Sequence, residues 1–538
     1  MNVLHAAATS LIVCCSAADL VGQQTEHALG KVDFAVSCSA PAQKEFNRAV
    51  ELLHHMTYPQ AREAFEQVAR LDPACAMVHW GIAMTLFQPL WPTRPGPAEL
   101  RRGWDAVQAA QKRKLPTERE RSFVRAAAAF FQPDSADYWQ RIRRWEAAMG
   151  KMHDTFPEDA EATAFYALAH LAVAPSDEGA RAHFDRAAEL LAGVLEKDPD
   201  HPGALHYLVH ANDAVGREHE SPEVVRKYEA SAPRNPHALH MPTHIFTRLG
   251  DWSGVVRGNL KAADAALAHP AGDQGQFVWD EFPHAIEYLV YAYLQQGADE
   301  LAASHVERLV QTTRLEPTFK TAFHLASTQA RYALERRAWS EAAALRPREP
   351  ASLNWDRFKW AEAVTWFARG LGAAHVRDSS NSHAAAARLA EIEAAAGTSG
   401  EPLFARHIRV LRLGVDAWRA HAAGKRDSSV ALMRAAVALE ESTPKHAVTP
   451  APTLPAPELL GDLFLEQARP ADALAAYQHS LVRYPRRFNS LLGLARAAQA
   501  LGNTTVARAA YGELLVVADG STRKPLLQEA RDFLARTH

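Results

Sequence analysis

Cysteine is scarce: the 538 residues hold four, Cys14, Cys15, Cys38 and Cys75. That is too few for a disulfide-framed scaffold, and the lack of any C-x-x-C pair argues against a thiolate metal site or a thioredoxin-type motif. Excess charge is missing too. The chain sets 59 Lys and Arg against 62 Asp and Glu, a formal net charge of −3, with no long basic run. Such a balance gives no electrostatic footprint for nucleic acid or an anionic membrane. Runs of alternating Val, Ile and Thr between hairpin dipeptides are almost absent, so strands are not expected. No Gly-rich phosphate loop, G-x-S-x-G elbow or H-E-x-x-H pair occurs, which removes the common nucleotide, hydrolase and zinc-protease signatures. Beyond the N-terminus no apolar run is long enough to span a membrane, so no transmembrane segment is expected in the mature chain.

The N-terminus reads "MNVLHAAATSLIVCCSAADLVG". It is apolar, rich in small residues, and too short and interrupted to be a span, which predicts a signal peptide over 1–22. It is an atypical one, because the first basic residue is Lys31. Cys14 and Cys15 raise a lipid anchor, although Val13 is a poor residue before such a cysteine. Export places the protein in the periplasm or outside the cell. Without the leader only Cys38 and Cys75 remain. A bridge between them would add about 3–4 kcal/mol on the chain-entropy model, and two buried free thiols are the alternative.

What the chain does have is alanine-rich amphipathic helix, in stretches of about 12–15 residues separated by short breaks. Near the C-terminus Gly461, Ala473, Tyr477 and Pro485 fall at small, small, aromatic and proline positions, and Ala495, Ala507 and Tyr511 repeat the pattern 34 residues later. "YPQAREAFEQVARLDP" (58–73), "RLGDW" (248–252), "QQGADE" (295–300) and "ERRAWSEAAAL" (335–345) continue it with drift. These spacings resemble the tetratricopeptide repeat, whose two helices cross closely at the small residues. The resemblance implies an all-α, helix–turn–helix superhelical solenoid. It runs from about residue 41 and weakens over 90–135 and 375–440. Pro444, Pro450, Pro452, Pro455 and Pro457 interrupt any helix. They divide an array over 38–440 from a repeat pair over 458–538, with 441–457 as a linker or an extended wrap; 370–382 is a softer break.

The repeat phase gives the histidines meaning. Pro199 and Pro233 stand one repeat apart, which puts His206, His210 and Asp213 at repeat positions 5, 9 and 12, and His237, His240 and His244 at positions 2, 5 and 9. The next units place His284 and Glu287 at positions 2 and 5, then His324 and Arg331 at 2 and 9; upstream, Tyr166 and His170 fall at 5 and 9. These positions share an arc of about 80° on the first helix of each repeat. In tetratricopeptide arrays that arc lines the concave groove, so residues of equal phase on neighbouring helices are expected to approach one another.

Two His-x-x-x-His pairs with nearby carboxylates suit a divalent transition metal. The expected ligands are His206, His210, His240 and His244, with zinc, copper or iron as candidates. His170, His237, His284, His324 and Arg331 are expected around them, fixing tautomers and lining the groove. Asp213 and Glu287 are candidate proton-handling groups at a bound water. The plain alternative is a metal-free groove whose histidines hydrogen-bond a peptide, protein or small-molecule ligand. Pro242 either breaks the helix between His240 and His244 or starts a new one at its favoured first position. Adjacent His54 and His55 read as helix-end residues, and Trp80 and Trp91 as core.

"SC" at 37–38, "ACAMVHWGIAM", "HPGALHYLVHAND", "HALHMPTHIFTRLGDW" and "EYLVYAYLQQG" together resemble a group of exported bacterial tetratricopeptide proteins. That resemblance implies the solenoid, export and a Cys38–Cys75 bridge, and transfers no reaction. Three functions are therefore carried forward: a ligand- or metal-binding groove protein, a metal-dependent enzyme at the same site, and a metal-free scaffold for protein partners.

Overall fold

A computed structural model describes residues 29–91, 94–220, 222–272, 274–519 and 521–537. The leader expected over 1–22, with Cys14 and Cys15, lies outside them. Helices pair antiparallel through short turns and stack in sequence order, each packed chiefly on its chain neighbours. This is an all-α, tetratricopeptide-like solenoid. Among the described residues the only named strands are Pro270–Ala271 and Phe277–Val278, a two-residue pairing inside one inter-helix loop.

The repeat positions explain the packing. A Cβ on Gly461 would stand 2.7 Å from the Tyr477 ring, and one on Gly493 2.2 Å from it, so one tyrosine fills the space two glycines leave in adjacent repeats. Gly81 does the same for Phe65, at 2.3 Å. Helix starts follow capping chemistry: Asn235, Asp251 and Thr318 accept from the backbone N–H three residues on. The weakly phased stretch is helical but oversized. Ser379–Thr398 and Pro402–Ala422 have 20 and 21 residues, which breaks the 34-residue rhythm. Gly370 lies within the helix Lys359–His375, with Val415 against its backbone, so the softer break shrinks to a turn at 376–378.

Two features position the site. Cys38 and Cys75 are disulfide-bonded. The proline-rich stretch after Glu441 runs as an extended strap across the groove, with Thr443, His446, Val448 and Thr453 buried. Arg331 secures it by donating to the carbonyls of Ala451, Pro452 and Thr453 at 2.9, 3.0 and 3.3 Å. The C-terminal repeats return to the array: buried Arg487 donates to Glu335, Glu458 and the Tyr291 hydroxyl. Among the described residues no helix is long and apolar enough to cross a membrane.

Candidate metal centre

The helix Pro202–Asn212 carries His206 and His210, and the next repeat opens with Pro236–His240 followed by Pro242–Leu249. Met241 between them keeps helical dihedrals, so Pro242 starts a second segment almost in line with the first. The break leaves the His240 carbonyl without its usual helical donor, since the His244 N–H turns to Met241. The Thr243 hydroxyl takes that carbonyl at 2.7 Å. His237, His240 and His244 thus stay on one buried face despite the proline.

Two trios result. His206, His210 and His237 form one, and His240, His244 and His284 the other; within each, a ligating atom from every residue lies within 4.8 Å of the others. The His206 Nε2 atom stands 3.1 Å from that of His210 and 3.0 Å from that of His237. His240 and His244 bring theirs to 2.9 Å, and the His284 ring lies 4.1 Å from that of His240. Both trios follow one rule: positions 5 and 9 of a repeat, with position 2 of the next. Equal-phase residues are not the closest neighbours, because adjacent helices are offset by about one turn. The expected quartet His206, His210, His240 and His244 is therefore split in two, and His237 and His284, expected around it, complete the halves.

Outer partners settle where the protons sit. The His206 Nδ1–H donates to the His54 carbonyl at 2.6 Å, and that of His244 to Asp213 at 2.8 Å. His237 uses Nδ1 on Glu281 at 3.3 Å. His240 donates to Asn259 Oδ1 at 2.6 Å, the amide being oriented by its own donation to the Val255 carbonyl. His324 donates Nδ1–H to Glu287, so its Nε2 accepts from the His284 Nδ1–H at 2.7 Å. Each acceptor fixes a tautomer, leaving a bare Nε2 lone pair aimed inward on five of the six histidines. The His284 Nε2 is buried and has no hydrogen-bond partner.

Lone pairs facing each other at about 3 Å, as on His206 and His237 or on His240 and His244, repel unless a proton or a metal ion lies between them. His210, whose tautomer no outer acceptor fixes, can instead donate its Nε2–H to His206. Burial, reinforced by neighbouring imidazoles, drives His206, His210, His240 and His284 well below their ordinary pKa, so a shared proton is a poor remedy. Burial also lowers His244, to about 4 against the opposing pull of Asp213. Nitrogens held about 2.0–2.1 Å from a tetrahedral ion stand about 3.3 Å apart, close to the spacing here.

The carboxylates are committed elsewhere. Burial pushes Asp213 up, but Lys445, Arg248 and His244 outweigh it and hold the group well below its usual range. Lys445 Nζ reaches it at 2.7 Å and Arg248 Nε at 2.6 Å. Glu287 accepts from Ser327 at 2.6 Å, from Arg331 and from His324. Both act as acceptors that orient histidines, Asp213 on His244 and Glu287 on His324. His170 is not brought to the centre: it bonds Glu146 at 3.1 Å beside His183. Arg331 neutralises Glu287 and holds the strap, and His324 works through His284.

Several participants were not legible as such. His54 and His55, read as helix-end residues, are fully buried: His54 supplies the carbonyl for His206, and His55 meets the Tyr228 hydroxyl at 2.8 Å. Trp91 is core as expected and in addition stands edge-on to His237 at 5.3 Å. Glu281, Asn259 and Lys445 sit in local contexts with no motif. Only the acidic start of the helix Glu281–Gln295 hinted at Glu281. The Tyr288 hydroxyl, 3.3 Å from the His244 Nε2, adds a polar group to the second trio.

No protein-family model matches the chain, and no curated protein does. Among solved structures, human IFIT1 in a dimer with PPP-AAAA is similar at 12% identity and a TM-score of 0.39, over 82% of this chain and 91% of that one. The APC/C hetero-tetramer Cut9–Hcn1 is similar at 12% identity and a TM-score of 0.28, over 92% of this chain and 96% of that one. At these scores the likeness is a loose one.

Proposed function

We propose that this protein binds two transition-metal ions, one per trio, through three Nε2 atoms each. The observation that carries the reading is the proton arrangement: five imidazoles spend their Nδ1–H on outer acceptors, and the bare nitrogens converge, with the His284 Nε2 left buried and unpartnered. Neutral imidazole donors suit zinc, copper or iron, and the absence of carboxylate among the converging atoms disfavours magnesium, calcium and manganese. Three protein ligands leave a coordination position open on each ion, as in sites that bind a further ligand or perform chemistry. The groove scaffold reading is less favoured, because the strap already lies where a peptide would. The Cys38–Cys75 bridge supports an oxidising compartment and hence export.

Elemental analysis of untagged protein tests the reading. About two ions per chain are expected, falling to about one in either His206→Ala or His240→Ala. A content near zero that reconstitution does not raise would falsify it.

A further inference from the structure

The two trios are not equally enclosed. Five of the six histidines are no more than 2% exposed, whereas His210 is 8% exposed and lines a cavity of about 130 Å³. The cavity lies between the array and the strap, and of the six histidines His210 alone is among its walls. Its walls combine aromatic surface from Trp91, Trp139 and Phe404 with two cations, Arg94 and Lys445. Two carboxylates also border it, and both are already opposed by a cation: Glu401 lies 3.7 Å from Arg94, and Asp213 is held by Lys445 and by Arg248. Arg94 packs over the Tyr138 ring at 3.8 Å, and its Nε–H is buried without a hydrogen-bond acceptor.

Charge then selects the ligand. Three imidazoles bring no negative charge, so a divalent ion on the first trio adds an uncompensated charge to a wall that is not acidic on balance. Burying that charge without a counter-ion is costly. Aromatic walls reward an apolar body, and the ion together with the Arg94 Nε–H, which has no hydrogen-bond acceptor although Glu401 opposes its charge at 3.7 Å, rewards an anionic head. Resting on the metal reading above, we infer that this cavity binds a small organic anion with an aromatic or apolar body, its carboxylate directed to the ion at His210 and to Arg94.

Benzoate and cobalt(II), whose visible spectrum reports changes in its ligands, make the test. In cobalt-loaded full-length protein benzoate should change the spectrum saturably, while benzyl alcohol, neutral and of similar size, should not. Arg94→Met should weaken the benzoate response about tenfold or more with cobalt content unchanged, since Arg94 touches neither trio. A fully loaded protein whose spectrum ignores benzoate, or an undiminished response in Arg94→Met, overturns the inference and leaves the metal centre standing. A chain that takes up no metal at all sinks the centre, and this inference with it.

Discussion

Two buried histidine clusters adjoin in this molecule, and they solve the same problem differently. In one, His54 meets Glu161 at 2.8 Å and the Tyr207 hydroxyl at 3.0 Å, and the His201 Nε2 lies 3.3 Å from the other Glu161 oxygen. The His201 Nδ1 caps its own helix by accepting the Ala204 N–H, so its proton is on the side of Glu161. In the other cluster the rings face one another with no acidic partner inside. The two touch through one bond, from the His206 Nδ1–H to the His54 carbonyl. Proximity alone would make both of them metal sites. What separates them is the acid between the rings: in the first cluster Glu161 faces both imidazoles, whereas in the trios Nε2 atoms face one another, with the Tyr288 hydroxyl reaching in at His244.

The largest effect that would break this contrast is on metal content. The double variant His206→Ala/His240→Ala should lose both ions, whereas Glu161→Gln should keep both, by elemental analysis. If Glu161→Gln also emptied the trios, the two clusters would be one site. On stability the order reverses. Glu161→Gln removes the buried carboxylate that His54 and His201 share and should cost about 3–5 kcal/mol in urea unfolding.

That cost should depend on pH. Burial raises Glu161, but His54 and His201 outweigh it, and the carboxyl sits below its ordinary 4.5; burial lowers His201, but Glu161 outweighs it, and the ring sits above its ordinary 6.5. The Glu161 contribution is therefore present above pH 4.5 and lost as pH falls through its lower folded value. The His201 contribution is present below pH 6.5 and lost as pH rises through its higher folded value. Stabilisation is complete between those limits, and Glu161→Gln should flatten both flanks.

Smaller effects sharpen the difference between the trios. Glu287→Gln unlocks the chain through His324 to His284 and should weaken the second trio about 10–100-fold, leaving the first unchanged in a two-site competition titration. Equal loss at both trios would mean that the residue acts on the fold as a whole. Smallest, Thr243→Val removes the hydroxyl that satisfies the His240 carbonyl at the proline break. It should cost about 1 kcal/mol in thermal unfolding.

Much of the centre was written locally. Pro199 and Pro233 set a phase that assigned His206, His210, His237, His240 and His244 to one face, and Gly297 phased His284 onto the same face. The phase could not supply the axial offset between helices, which decides that position 5 meets position 2 of the next repeat. Hence the six residues were legible and their partition into trios was not. His170 obeyed the same phase and fell away, because the residue at position 2 of the following repeat is Gly203, which has no side chain to join it.

By itself the sequence determined the helical repeat, the histidine row and the helix-free proline run, because each depends on residues within one or two repeats. The tertiary structure alone decided which atoms face inward. That choice rests on His54, Asp213, Asn259, Glu281 and His324, up to about 150 residues from the rings they orient. A tautomer is set by whatever acceptor the fold delivers, and no local pattern encodes an acceptor that far along the chain.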